Sequence, residues 1–345
     1  MYAVDADIAK ASTLDPRFYR DAGAHRQVLE RAFARSWHWV GRLDDVAAPG
    51  ALRPFTLAPG GLDEPLLLAR DEAGTLRCLS NVCTHRGNVL VREPCVAKQI
   101  RCGYHSRRFD LAGKMTFMPE FEGVQGFPSS ADDLPRVPFA DWGGHGFASI
   151  DPVAPFEAFF EGVAPLDGTP IESMRHDPSR DRDFELDAHW ALYVENYLEG
   201  FHIPFVHPAL HDAVDYGSYR TELHRYANVQ VAHEKAGEVA ARYWWIFPNL
   251  MLNFYPWGLS LNLVLPEGTA RTRVLFRAFV SDAAKLETGA GAGLDRVEAE
   301  DEAIVLAVQR GVRSRLYRGG RYSPARERGV HHFHRLLCEF LEPLE

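Results

Sequence analysis

At 345 residues the chain can bury one large core or two ordinary ones. Its 25% charged and 46% hydrophobic residues are ordinary for a globular protein, and no apolar run reaches membrane-spanning length. A net charge of -9 without a Lys/Arg cluster argues against nucleic acid as the main partner. The N-terminus lacks the basic-then-apolar order of a signal peptide, so a cytoplasmic location is expected. The cysteines Cys78, Cys83, Cys95, Cys102 and Cys338 are odd in number and sparse. They make no disulfide framework, which leaves thiol or metal chemistry.

In chain order, Phe18, Val28, Leu29, Ala32 and Phe33 recur at helical spacing, and a helix is predicted over 24–36. From Trp37 the texture changes. Short strand-like runs at 37–41, 66–70 and 76–80 alternate with Pro and Gly turns, and this continues to Ile150. Residues 151–170, rich in Pro and Gly, read as a crossing into a second domain. A strand over 184–190 leads into a helix over 190–201. Residues 225–232, 238–246, 259–265 and 271–280 alternate like strands of an antiparallel sheet. A loop at 283–293 precedes amphipathic helices over 294–317 and 330–342. In the last, Val330, Phe333, Leu336, Leu337, Phe340 and Leu341 make one apolar face. The expected class is α+β. A small β domain, 37–152, is inserted into a domain made of 1–36 and 153–345, whose antiparallel sheet packs on a long C-terminal helix.

The β domain carries Cys83-Thr-His85, then sixteen residues, then Cys102-Gly-Tyr-His105. Each short loop offers one thiolate and one imidazole. The set suits a tetrahedral zinc. It also suits a two-iron, two-sulfur cluster with both cysteines on one iron and both histidines on the other, the Rieske arrangement. Zinc fingers pair like ligands within a loop. One of each per loop is expected when two loops clasp a dinuclear cluster.

The second domain carries Glu195-Asn-Tyr-Leu-Glu-Gly-Phe-His-Ile-Pro-Phe-Val-His207. Before Pro204 it reads as helix, with Glu199 and His202 on one face. Pro204 breaks the helix and lets His207 swing back toward the same point. One further carboxylate would complete a two-His-one-carboxylate face for iron(II). Asp301 shares a stripe with Val297, Ile304, Val305 and Val308, where a carboxylate is costly unless it holds a cation or is hydrogen-bonded. Glu300 and Glu302 are the alternatives, as is a plain acidic helix start favoured by the dipole. Pocket candidates are Tyr193, Tyr197, Phe201, Phe205, Trp244, Trp245, Phe254, Tyr255 and Trp257. They would cage a cation or stack on an aromatic ring. His331, His332 and His334 fall on different helix faces and are expected at solvent or a subunit contact rather than at a third metal.

The Cys-Thr-His-Arg-Gly and Cys-x-Tyr-His runs resemble the Rieske domain of ring-hydroxylating and related non-haem iron oxygenases. The run Asn-Tyr-Leu-Glu-x-Phe-His-x-Pro-x-x-His resembles their catalytic iron motif. Phe247-Pro-Asn-Leu-Met-Leu-Asn253, Asn262-Leu-Val-Leu-Pro266, Val308-Gln-Arg-Gly311 and His331-His-Phe-His334 resemble the branch acting on quaternary ammonium compounds, of the choline and carnitine monooxygenase type.

The resemblance implies an all-β Rieske domain before a helix-grip (START/Bet v1-like) catalytic domain. It implies a [2Fe-2S] cluster on Cys83, His85, Cys102 and His105, and mononuclear Fe(II) on His202, His207 and Asp301. Asp301 then matches an Asp in a Glu-Asp pair ahead of Val-Gln. Glu199 would link an iron-ligand histidine to a cluster histidine of a neighbouring chain in a head-to-tail homotrimer, with Asn196 in support. With no Gly-x-Gly-x-x-Gly loop here, electrons would come from NAD(P)H through a separate reductase or ferredoxin. The implied activity is a terminal oxygenase that uses dioxygen to hydroxylate or N-demethylate a small organic substrate. Rival readings are a Rieske electron carrier without a substrate, a zinc-stabilised binding protein, and an aromatic-ring dihydroxylating dioxygenase. Two departures stand out. Ser106-Arg107-Arg108 replaces the usual Gly-Trp, and only Cys95 lies between the cluster loops, too few for a flanking disulfide.

Overall fold

The computed structural model describes residues 2–166 and 168–342. It divides into two compact units, Trp37–Pro152 and the combination of Met1–Ser36 with Val153–Glu345. No helix among the described residues is long and apolar enough to cross a membrane.

The β unit holds three small antiparallel sheets. Ala51–Leu57, Glu64–Arg70 and Leu76–Ser80 are the centre of a five-stranded one. Leu66 to Ala69 are buried without alternation, because both faces of this middle strand are covered. His38–Arg42 pairs with His145–Ala148, which pairs with Phe139–Trp142. The third sheet, Ile100–Arg101, Arg108–Phe109 and Met115–Phe117, carries one of two exposed hairpin loops. That loop closes with the Cys102 N–H on the Arg107 carbonyl at 2.8 Å. The other closes with the Leu90 N–H on the Asn81 carbonyl at 3.0 Å.

The larger unit is an eight-stranded antiparallel sheet covered by helices. From Thr272–Val280 it runs through Gly258–Pro266, Leu250–Tyr255, Val239–Ile246 and Ala227–His233 to Arg220–Leu223. Leu250–Tyr255 is absent from the sequence expectation. All six of its residues are buried, so it shows no polar alternation to read. Arg182–Leu186 pairs at the far edge, ending four residues short of the expected strand, where His189 caps the next helix.

The C-terminal helix, Arg328–Leu341, buries the whole expected apolar face. Phe333 meets Trp190 and Trp245 edge-on at 5.6 and 5.3 Å. Burial of a ring of this size contributes about 2–3 kcal/mol.

Four expectations need correction. The N-terminal helix is Ala22–Val28, starting two residues early where Asp21 accepts the Gly23 and Ala24 N–H groups. It widens into a π turn over Leu29–Phe33. The helix expected over 294–317 is Leu294–Gly311, ending at a glycine. Its outward side carries Ile304 and Val308, at 38% and 41% exposure, so only Val297 and Val305 of the stripe assigned to Asp301 face inward. His331 and His334 are buried rather than solvent-facing. His331 bonds the Asp5 carbonyl at 2.7 Å, and His334 meets the Tyr322 hydroxyl at 2.6 Å.

Candidate functional site

The two hairpin loops of the β unit bring Cys83, His85, Cys102 and His105 together. Cys83 and Cys102 are buried in a cluster with Leu79, Ile100, Phe109 and Leu111. The histidines lie nearer the surface, their rings 4.8 Å apart and edge to face. Asn88 Nδ2 at 3.6 Å and the Tyr104 N–H at 3.4 Å donate to the Cys102 sulfur, which favours a thiolate. Burial, His105 and Arg107 hold the His85 imidazole below its ordinary pKa, in the neutral form a metal takes.

The Nδ1 atoms of both His85 and His105 are buried without a hydrogen-bond partner. Two orphaned ring nitrogens on the same two loops as Cys83 and Cys102 fit a metal group. Among the described residues, the one group of three or more ligand atoms gathered within 4.8 Å lies elsewhere. The four side chains are thus spread wider than the shell of a single zinc. They suit a dinuclear cluster.

The Ser106-Arg107 departure has a structural account. Ser106 has φ +60°, the left-handed conformation that glycine adopts freely, and Arg101 Nη2 donates to its hydroxyl at 2.7 Å. Arg107 is buried at 2% exposure. It donates to Thr84 Oγ1 at 2.9 Å and to Asp132 at 2.6 Å, with Phe127 stacked at 5.4 Å. Thr84 stands between Cys83 and His85, so one guanidinium ties the two loops together. Arg107→Ala should destabilise this unit by about 3 kcal/mol. A thermal melt of cluster-loaded protein checks this, and an unchanged midpoint would show that the clamp adds no stability.

In the larger unit the helix Trp190–Tyr197 stops well before Pro204. Gly200 follows in the turn, where it leaves room for the Tyr219 ring that a side chain would run into. Pro204 does not break the helix. It sits in the first turn of the next helical segment, Ile203–Val206, where its missing N–H costs nothing. The turn points both imidazoles at Asp301, from the carboxylate helix Leu294–Gly311. His207 Nε2 is 3.0 Å and His202 Nε2 3.5 Å from Asp301 Oδ1.

Each imidazole is held from behind. Glu199 Oε1 accepts from His202 Nδ1 at 2.6 Å, while its Oε2 accepts the Phe201 and His202 backbone N–H groups. Glu300 Oε2 accepts from His207 Nδ1 at 2.7 Å and is braced by Arg296 at 3.0 Å. Burial disfavours a charge on His207, but Asp301 and Glu300 outweigh it and raise its pKa. Three carboxylates around two imidazoles leave a surplus of negative charge that a divalent cation would balance. Of the three neighbouring carboxylates, Asp301 joins the ligand group; Glu300 lies behind His207.

A cavity of about 120 Å³ adjoins this triad. Of the expected aromatics, Tyr193, Tyr197 and Tyr255 line it, as does Asn196. Trp244, Trp245 and Phe254 are buried core away from the cavity, and Phe201 and Phe205 are exposed, because the turn at Gly200 throws them outward. Trp257 lines an adjoining cavity instead. Tyr219, Tyr243, Gln230, Asn253, Ser260 and Asn262 also line the cavity and escaped sequence reasoning. A signal was present. Asn253-x-Tyr255 and Ser260-x-Asn262 place polar groups at alternate positions of otherwise apolar strands.

Residues 36–128 match the Rieske [2Fe-2S] domain model, and residues 171–342 match that of the ring-hydroxylating alpha subunit catalytic domain. The chain belongs to the Rieske oxygenase alpha-subunit family. It is a Rieske non-haem iron oxygenase, with its mononuclear iron site at His202, His207 and Asp301. It is 29% identical to choline monooxygenase of Arabidopsis thaliana, covering 96% of this chain and 83% of the relative. It is 27% identical to the carnitine monooxygenase oxygenase subunit of Escherichia coli, covering 97% and 95%. The fold matches a quaternary ammonium Rieske monooxygenase solved with L-carnitine, with TM-score 0.74 and 22% identity over 96% of each chain. It also matches a naphthalene 1,2-dioxygenase, with TM-score 0.68 and 15% identity over 96% and 92%.

Proposed function

We propose that this oxygenase oxidises a small quaternary ammonium compound, hydroxylating it or removing an N-methyl group, with electrons from NAD(P)H through a separate reductase. The observation that carries the reading is the cavity beside the triad. It is lined by Tyr193, Tyr197, Tyr219, Tyr243 and Tyr255 and, among the described residues, by no lysine or arginine. Ring faces attract a cation that has no N–H to donate. Gln230, Asn253, Ser260 and Asn262 add polar groups to a wall that is otherwise mostly apolar, which suits a cation clothed in methyl groups. The choline and carnitine monooxygenases among the relatives support the same class.

When bound, the cluster supplies single electrons and the iron(II) supplies open positions at which dioxygen is activated. The chain's own part is positioning. Glu199 accepts the His202 Nδ1 proton and so fixes the tautomer that turns Nε2 inward. Glu300 does the same for His207. We assign Cys83, His85, Cys102 and His105 to the cluster, within a Rieske domain of residues 37–152. Asn196 supports the triad from the cavity wall. Glu199 would link to a cluster histidine of a neighbouring chain in a head-to-tail homotrimer. A solved relative whose description names inter-subunit electron transfer supports this.

Coupling of NADH oxidation to product, with a reductase and a panel of betaines, choline, carnitine-like compounds and aromatic acids, tests the reading. Product from aromatic acids alone would refute it. Glu199→Gln should keep both metals yet lower turnover about 10–100-fold. Normal turnover with that variant would remove the link.

A further inference from the structure

Glu298 stands one helical turn before Asp301 on the inward face of the carboxylate helix. It is buried at 7% exposure. Its partner is a neutral phenol: the Tyr193 hydroxyl lies 2.9 and 2.8 Å from its two oxygens. Among the described residues it forms no ion pair, unlike Glu199 and Asp301, which face the iron-site imidazoles. A carboxylate in such a place is costly unless a positive charge reaches it. Burial pushes its carboxyl up to about 8, so it is mostly protonated near neutral pH until a cation beside it draws out the carboxylate.

Its place in the cavities is specific. The tyrosine-lined cavity and a second one of about 310 Å³ share Ser260, Phe276, Leu294 and Glu298. Glu298 therefore stands where the two join. The second cavity contains Arg180, Arg182 and Arg277, but each already has an acid. Arg180 meets Glu287 at 2.9 Å, Arg182 meets Asp295 at 3.4 Å, and Arg277 meets Asp183 at 2.7 Å. Among the described residues on the path, Glu298 is the acid without a basic partner. The tyrosine hydroxyls are largely occupied as well. Tyr197 donates to Asn253 at 2.7 Å and Tyr219 to Gln230 at 3.1 Å, which leaves their rings to make contact.

We infer that Glu298 is the charge-selecting residue of this oxygenase, its carboxylate holding the positive head of the substrate against the tyrosine rings. The inference rests on the quaternary ammonium reading above and adds the residue that enforces it. A quaternary nitrogen has no hydrogen to donate. What recognises it is field and ring faces, and a carboxylate whose oxygens already accept from Tyr193 supplies field.

The test is equilibrium binding to the metal-loaded oxygenase of choline and of 3,3-dimethylbutan-1-ol, its neutral isostere with carbon in place of nitrogen. Wild type should bind choline about thirty-fold more tightly than the alcohol. In Glu298→Gln, which keeps the shape and the Tyr193 partner, the two ligands should bind within a few-fold of each other. Iron content and cluster absorption should stay as in wild type. Preference for choline undiminished in Glu298→Gln overturns the inference and leaves the substrate class standing. Wild type that binds the alcohol as tightly as choline overturns it without any variant. Wild type that binds neither of these nor any betaine or carnitine-like compound of the panel overturns the substrate class and this inference together.

Discussion

Asp301→Ala is expected to strip the mononuclear iron and abolish turnover while the cluster's visible absorption stays intact. The argument is geometric. Two imidazole nitrogens face Asp301 Oδ1 at 3.0 and 3.5 Å, and the described residues bring no fourth ligand atom into this group. Losing one of three ligands should cost more than the roughly 10–100-fold in affinity that follows loss of a mere supporting partner. Glu300 cannot step in, because it lies behind His207 on the Nδ1 side. Iron per chain should fall from three to about two, the pair that belongs to the cluster. Three irons retained in this variant would place the third ligand elsewhere.

Cys102→Ser should give the converse result: the visible absorption disappears and one iron remains. A serine hydroxyl is too weak an acid to replace a thiolate at neutral pH, and it is the thiolate that binds iron. The Cys102 sulfur is held by the Tyr104 N–H and Asn88 Nδ2 in a buried apolar cluster, so solvent cannot make good the missing ligand. Electron delivery from a reductase should cease, and the larger unit, whose core is its own, should still bind iron at His202, His207 and Asp301. An unchanged spectrum would refute the assignment of Cys102.

These two experiments succeed or fail on residues that a reader of the sequence can find. Cys83, His85, Cys102 and His105 announce themselves because a metal group held by two tight loops requires its ligands in close pairs. His202 and His207 do so because one local turn brings them together. Asp301 was legible less directly, and for a partly mistaken reason. The apolar stripe credited to it points outward at Ile304 and Val308. The inward face keeps Val297 and Val305 of that stripe and adds Glu298 and Gln309, with Gln309 accepting the His189 N–H at 3.0 Å. The turn at Gly200 was assigned to Pro204, because proline is the louder breaker in a one-dimensional reading. Gly200 matters only through the Tyr219 ring, nineteen residues on.

The boundary between the two kinds of knowledge follows from range. Ligand spacing, the change from β-rich to mixed texture, and the apolar face of Arg328–Leu341 are local patterns, and local patterns survive in a linear string. Which carboxylate of Glu298, Glu300, Asp301 and Glu302 meets which partner depends on how one helix is rotated, and successive residues differ by about 100°. That rotation is set by packing against Trp190–Tyr197 and the sheet, far away in the chain. So it is with the tyrosine wall. Tyr193, Tyr219, Tyr243 and Tyr255 belong to separate segments, and only the closing of the antiparallel sheet beneath the helices makes them one surface.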